Sequence, residues 1–337
     1  MAGVAAPVYR IDGVLLHVAK PIPGAPEVLK FLNDYNIPFI LLTNGGGKHE
    51  TERVKDLEKR LGVHLSTDNF VQSHTPFQEL LEGPNSLRDK TVLVTGSDYE
   101  KCRAIFRDSS LSSHLKIDAM FVLNDPRDWA LDLQVMTDLL LSHAGYLGTY
   151  SPRNASADLP NCGWQRDGQP PLYFSNADLF WSANYPLPRL GQGAFQASLA
   201  GLWRRITGGH ELERTSIGKP YGETYRFAER VLAGHRHEVL RVLGQGRHEP
   251  GVGQLRRVYM VGDNPESDIA GANGHASEHG TEWVSVLVKT GVWSEKRGGK
   301  LEGEFEPKAV VDDVTAAVKW ALKKEGWTQG EGGAKLR

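Results

Sequence analysis

Cysteine is nearly absent: Cys102 and Cys162 are the only two in 337 residues. Two thiols cannot build a disulfide framework, so a reducing compartment with both thiols structural is the expectation. No apolar run approaches the length that crosses a bilayer. An excess of charge is missing too, the formal net charge being −2. Electrostatic binding of nucleic acid needs a concentrated basic face. The short pairs Arg204-Arg205 and Arg256-Arg257 read instead as solvated surface. The apolar start MAGVAAPVY has no basic region and is too short for a signal peptide. It also lacks the Arg-rich amphipathic character of a mitochondrial presequence. His235, His237 and His248 are loosely spaced between Gly234 and Arg256, with no cysteine partner. That pattern predicts an exposed excursion rather than a metal site.

What is present is the composition of a globular protein, 40% hydrophobic and 24% charged. The length allows one large domain or two ordinary ones. VYRIDGVLL reads as a strand, and Pro23-Gly24-Ala25-Pro26 opens a helix with Val28, Leu29, Phe31 and Leu32 on its buried side. IPFILLTN reads as a buried parallel strand. A helix follows with Val54, Leu57 and Leu61 in register, stopped by Gly62. This alternation predicts a doubly wound α/β sheet. KTVLVTGS, AMFVLND and PLYFSN read as strands of a second α/β block, a candidate for insertion into the first. Gly148–Pro171 reads as a long surface loop. RRVYMVGDN and TEWVSVLVKTG return to strand, with helices GAFQASLAGLWRRITG and YGETYRFAERVLAG before them.

Four places join strand or helix ends to reactive polar residues: Arg10-Ile11-Asp12-Gly13, Thr43-Asn44-Gly45, Gly218-Lys219-Pro220 and Gly262–Asp268. Ligands of open α/β sheets bind beyond the carboxyl ends of the strands, so these sets are expected to share one crevice. Thr43 and neighbouring amides suit phosphate oxygens, and Lys219 supplies positive charge. Asp263 and Asp268 are hard oxygen ligands suited to Mg²⁺. Singly, each has a plain structural reading as a turn, a strand end or a helix start. Their joint order is harder to reach by coincidence.

On IDGVLL, IPFILLTNGGG, NDPRDWALDLQ, QPPLYFSNADLFW, GKPYGETYRFAE and GDNPESDIAGANG the chain resembles the haloacid dehalogenase (HAD) superfamily. Within it the likeness is to the class IIA, NagD-like branch and its eukaryotic and fungal cat eye syndrome critical region protein-like group. The resemblance implies a Rossmann-like α/β core over 1–65 and 186–325, with an inserted α/β cap over 66–185 and a flexible tail over 326–337. It implies Mg²⁺-dependent hydrolysis of a small phosphate ester through an aspartyl-phosphate, in a mitochondrial setting or otherwise a cytoplasmic one. Carried over position by position, Asp12 is the acid/base. Thr43, Asn44 and Lys219 bind phosphate, and Asp12, Asp263 and Asp268 hold the metal.

The departure is at Arg10, which stands where the resemblance places the nucleophilic aspartate. Arginine stays protonated and has no lone pair with which to attack phosphorus. A guanidinium about 4 Å from Mg²⁺ is opposed by roughly 8 kcal/mol at an effective dielectric of about 20. A millimolar metal site contributes only about 4 kcal/mol. The expectation is therefore a degenerate site, with Arg10 paired to Asp263 or Asp268. Three alternatives stay open. One is an active phosphohydrolase using direct water attack or a cap carboxylate such as Asp125 or Asp128. Another is a receptor for a phosphorylated ligand, or a scaffold built on Trp164, Trp181 and Trp203. The third is a misassigned start that replaced an aspartate at position 10. The sequence says nothing of oligomeric state.

Overall fold

A computed structural model describes residues 5–96, 115–181, 183, 185, 187–243, 255–293 and 300–327. Ten strands carry the two main sheets: β1 (Ala5–Tyr9), β2 (Ile40–Leu42), β3 (Phe70–Val71), β4 (Val92–Thr95), β5 (Ala119–Val122), β6 (Leu172–Phe174), β7 (Thr215–Ser216), β8 (Arg257–Gly262), β9 (Glu282–Val288) and β10 (Ala309–Val311). The larger sheet has the order β10-β9-β8-β1-β2-β3, and every pair in it is parallel. Its central strands are apolar on both faces because helices cover both. On one face α1 (Ala25–Asp34) and the late helix Val314–Lys324 bury Val28, Leu32, Val314 and Val318 against Tyr9, Leu41 and Val261. On the other, the helix Gly222–Val242 buries Tyr225, Phe227 and Leu232 against Val8, Ile40 and Met260. The second helix of the chain, α2 (Glu50–Leu61), ends at Gly62 in the left-handed region, as its sequence predicts.

The inserted unit has its own parallel sheet, order β7-β6-β5-β4. Two helices, α3 (Trp129–Leu141) and α4 (Gln192–Thr207), pack on it through Met136, Leu140, Phe195, Leu199 and Trp203. This is the expected α/β cap.

Sheet membership divides the chain differently from the 66–185 expectation. β3 lies inside that span but is hydrogen-bonded into the core sheet beside β2. α4 and β7 lie beyond it yet belong to the cap, where Phe195 and Trp203 are buried. A two-residue strand has no periodicity to read, and an apolar helix face does not name its partner. The span Gly234–Arg256 also differs. The helix that starts at Gly222 runs on to Val242, placing His235 and His237 on it, because Leu232, Arg236 and Leu240 continue its buried stripe. His248, Cys102 and residues 328–337 lie outside the described residues. Within 148–171 a short 3₁₀ turn forms at Pro160–Gly163, and Trp164 after it is buried against Trp203. At the start of the expected tail, Trp327 packs edge-on against Phe31 and Tyr35.

Candidate functional site

The site lies at the carboxyl ends of β1, β2 and β8, where the parallel sheet delivers Arg10, Thr43 and Asp263 side by side. Arg10 extends the β1 ladder, its N–H donating to the Val261 carbonyl at 3.0 Å. Its side chain turns inward and is 8% exposed. Two glycines make room for Asp263. A Cβ at Gly13, whose φ is +83°, would stand 2.2 Å from the Asp263 carboxylate, and one at Gly291 would meet it as well. Asp263 Oδ2 accepts the Val292 N–H at 2.7 Å.

Asp268 is fully buried and fully used. Its Oδ2 accepts the Asp263 and Asn264 N–H groups at 3.2 and 3.1 Å. Arg10 Nη1 donates to the same oxygen at 3.1 Å and to Ser267 Oγ at 3.1 Å. Lys219 Nζ donates to Asp268 Oδ1 at 2.5 Å and to the Leu42 carbonyl at 3.3 Å. Arg10 Nε lies 3.2 Å from Asp263 Oδ1. That approach gives an ion pair without hydrogen-bond alignment, so this oxygen receives no hydrogen bond. The remaining arm of the guanidinium, Nη2, donates to Asp178 Oδ2 of the cap at 3.4 Å.

The charges shape one another. Burial disfavours the Asp268 carboxylate, but Arg10 and Lys219 outweigh it and hold its pKa below the ordinary value. Burial raises Asp263 to about 6 despite the opposing pull of Arg10. Burial also lowers Lys219, with Asp268 opposing and Arg10 reinforcing the shift. Arg10 moves the other way. Burial works against its charge, and Asp263, Asp268 and Asp178 together overcome it.

Above this cluster opens a cleft of about 340 Å³ between core and cap, lined among others by Asp12, Thr43, Asp125, Arg127 and Trp181. Thr43 is buried, and its Oγ1 accepts the Gly45 N–H at 2.9 Å. Asn44 lines the cleft too, and its side chain braces the lysine loop. Its amide donates to the Lys219 carbonyl at 3.0 Å and accepts the Lys219 N–H at 2.8 Å, fixing the backbone that presents the lysine. Of the two cap carboxylates that the sequence offers, Asp125 lines the cleft, and burial raises its pKa. Asp128 instead caps α3, accepting the Leu131 N–H at 3.0 Å. Trp164 and Trp203 form the cap interior, and only Trp181 faces the cleft. Sequence reasoning misses Asp178. The signal for it is a carboxylate just past the end of the strand PLYFSN, the same strand-end logic that flags Asp12 and Asp263.

The arrangement does not fit Mg²⁺ at the expected ligands. Both oxygens of Asp268 are occupied by N–H donors, and the free oxygen of Asp263 faces the Arg10 cation. Among the described residues, no three His, Cys, Asp or Glu side chains are grouped to hold a metal ion.

A family profile described as haloacid dehalogenase-like hydrolase matches residues 8–111, and a HAD-hydrolase-like profile matches 216–317. A protein named mitochondrial hydrolase in Saccharomyces cerevisiae is 36% identical over 353 residues, covering 94% of this chain and 95% of the relative. The chain belongs to the HAD-like hydrolases. A Schizosaccharomyces pombe protein named cardiolipin synthase (CMP-forming) / mitochondrial hydrolase fusion protein is also 36% identical, over 344 residues. That match covers 93% of this chain but only 52% of the fusion, so the chain spans about half its length. NagD from E. coli K-12 shares the fold, with a TM-score of 0.56 and 20% identity over 92% of this chain and 97% of NagD. This HAD chain therefore shares the fold of NagD, a Rossmann-like core with an α/β cap.

Proposed function

We propose that this chain is a HAD phosphohydrolase scaffold whose metal site is filled by its own Arg10, and that it does not turn over phosphate esters through an aspartyl-phosphate. The observation that carries the reading is the guanidinium held between Asp263 and Asp268, 3.2 Å from one and 3.1 Å from the other. A divalent ion there would meet a fixed cation and a carboxylate already satisfied by N–H donors. The side chain at the strand end offers no nucleophilic oxygen. Asp12 and Thr43 line the cleft and Lys219 lies buried, and because the resemblance assigns these positions acid/base and phosphate roles, their location supports the reading of a HAD scaffold.

The test is hydrolysis of a panel of phosphate esters with Mg²⁺ by this chain and by Arg10→Asp. Turnover in Arg10→Asp alone supports the reading. Equal turnover in both defeats it and favours direct attack by water. A second reading, retention of a phosphorylated ligand without turnover, is favoured by the open cleft and by Arg127 on its cap wall. The cap is proposed to begin after Val71 and to end after Ser216, following the sheets. A mitochondrial location is supported by the name of the S. cerevisiae relative, and imaging of the tagged full-length protein tests it.

A further inference from the structure

We infer that Arg10 is also a strap between cap and core: its guanidinium is the resident cation of a three-carboxylate site to which the cap contributes Asp178. The inference concerns the same site and rests on Arg10 filling it. Asp263 and Asp268 come from the core loop after β8, whereas Asp178 follows β6 of the cap. Its side chain is 9% exposed and lies 3.4 Å from Arg10 Nη2.

Asp178 is held rigidly by its own unit. Its N–H donates to Asn176 Oδ1 at 2.7 Å, and its carbonyl accepts the Gly193 N–H at 3.0 Å. Asn176 is itself fixed to α4, its N–H donating to Gln192 Oε1 at 2.9 Å and its carbonyl accepting Gln196 Nε2 at 2.7 Å. A Cβ at Gly193 would crowd the Ala177 and Asp178 carbonyls at 2.3 and 2.9 Å, so the turn packs this closely only with glycine. A carboxylate fixed to the cap thus meets a guanidinium whose other two nitrogens are fixed to the core. Separating cap from core at this point would leave Asp178 without its cation. The ligand class the site selects is a planar guanidinium with donors on three sides, not a spherical divalent ion.

Two experiments on the full chain test this. In Asp178→Asn, amide hydrogen exchange is expected to quicken several-fold in the loops facing the cleft, Thr43–Gly46 and Asn176–Phe180. Exchange in β5, β8 and α4 should stay unchanged. Unaltered exchange in both loops would overturn the strap. In Arg10→Ala, millimolar methylguanidinium should raise the melting temperature above a sodium chloride control of equal ionic strength. Addition of Asp178→Asn should shrink that rise. A rise of equal size in both variants, or none in a folded Arg10→Ala, would overturn the assignment of Asp178. If Arg10→Ala does not fold, the exchange experiment alone decides whether the strap exists. Phosphatase activity of the unaltered chain with Mg²⁺ would defeat the proposed function, while the Asp178→Asn exchange result would still judge the strap.

Discussion

At position 10 one guanidinium meets three carboxylates while Lys219 shares one of them, so two buried cations face three buried anions. Such clusters fold because every charge has a partner, and they fail when one partner is removed. Asp268→Asn is therefore expected to cost about 3–5 kcal/mol in urea denaturation, since it leaves the buried Lys219 without its carboxylate and Arg10 with two of its three. Asp56→Asn removes a carboxylate paired with Arg53 and Arg60 at the surface, and should cost about 0–1 kcal/mol. Gly13→Ala must place a methyl group 2.2 Å from the Asp263 carboxylate at φ +83°. A loss of about 1–3 kcal/mol is expected from the backbone conformation alone, with Asp263 pushed from its place. Thermal denaturation measures the loss, and a neutral Gly13→Ala would mean that the loop is not as tight as described. The positions that meet at this scale are legible in the sequence. Arg10, Asp12, Thr43, Lys219, Asp263 and Asp268 are each marked there by a strand or helix end. Asp178 also follows a strand end, but what makes it matter is a partner 168 residues away.

At the scale of elements, the helices and buried strands follow from period and punctuation. α2 stops at Gly62 because a residue with φ +63° is needed there. What escapes is membership. α4 announces itself by Phe195, Leu199 and Trp203, but its apolar face fits either unit until the sheets are known. Trp203 is buried among Leu139, Trp164 and Phe195 in the cap. Trp203→Ala should cost about 3–5 kcal/mol by opening a cavity that the sheet cannot close, read as a lower midpoint in chemical denaturation. Strand β1 carries Pro7 at its centre. It pairs along all five residues with β8, but only at Val8 and Tyr9 with β2. The ladder on the β2 side starts after the residue that has no N–H to donate.

At the scale of the molecule, the core has a second buried charge, remote from the cleft. Glu229 receives Ser277 Oγ at 2.5 Å and Trp283 Nε1 at 3.0 Å, and pairs with His275 at 3.1 Å. Burial pushes its pKa up, but these hydrogen bonds outweigh burial and hold it below the ordinary value of 4.5. A depressed carboxylate contributes stability that is complete above its unfolded pKa and is lost as pH falls through its folded one. The stability gap between the unaltered chain and Glu229→Gln should therefore be constant near neutrality and narrow progressively below about pH 4.5. Denaturation at a series of pH values checks this, and a gap that widens on acidification would reverse the sign. The two-unit architecture is legible because the strand and helix alternation occurs twice in the chain. The boundary is not, since long-range sheet pairing sets it.

The claim beneath all of these is that a side chain of the protein sits where the family's metal would. Calorimetric titration of Mg²⁺ into this chain and into Arg10→Asp tests it most directly. No binding heat is expected from the unaltered chain up to millimolar Mg²⁺, and saturable binding is expected once the arginine is replaced by a carboxylate. Saturable Mg²⁺ binding by the chain with Arg10 in place would contradict it.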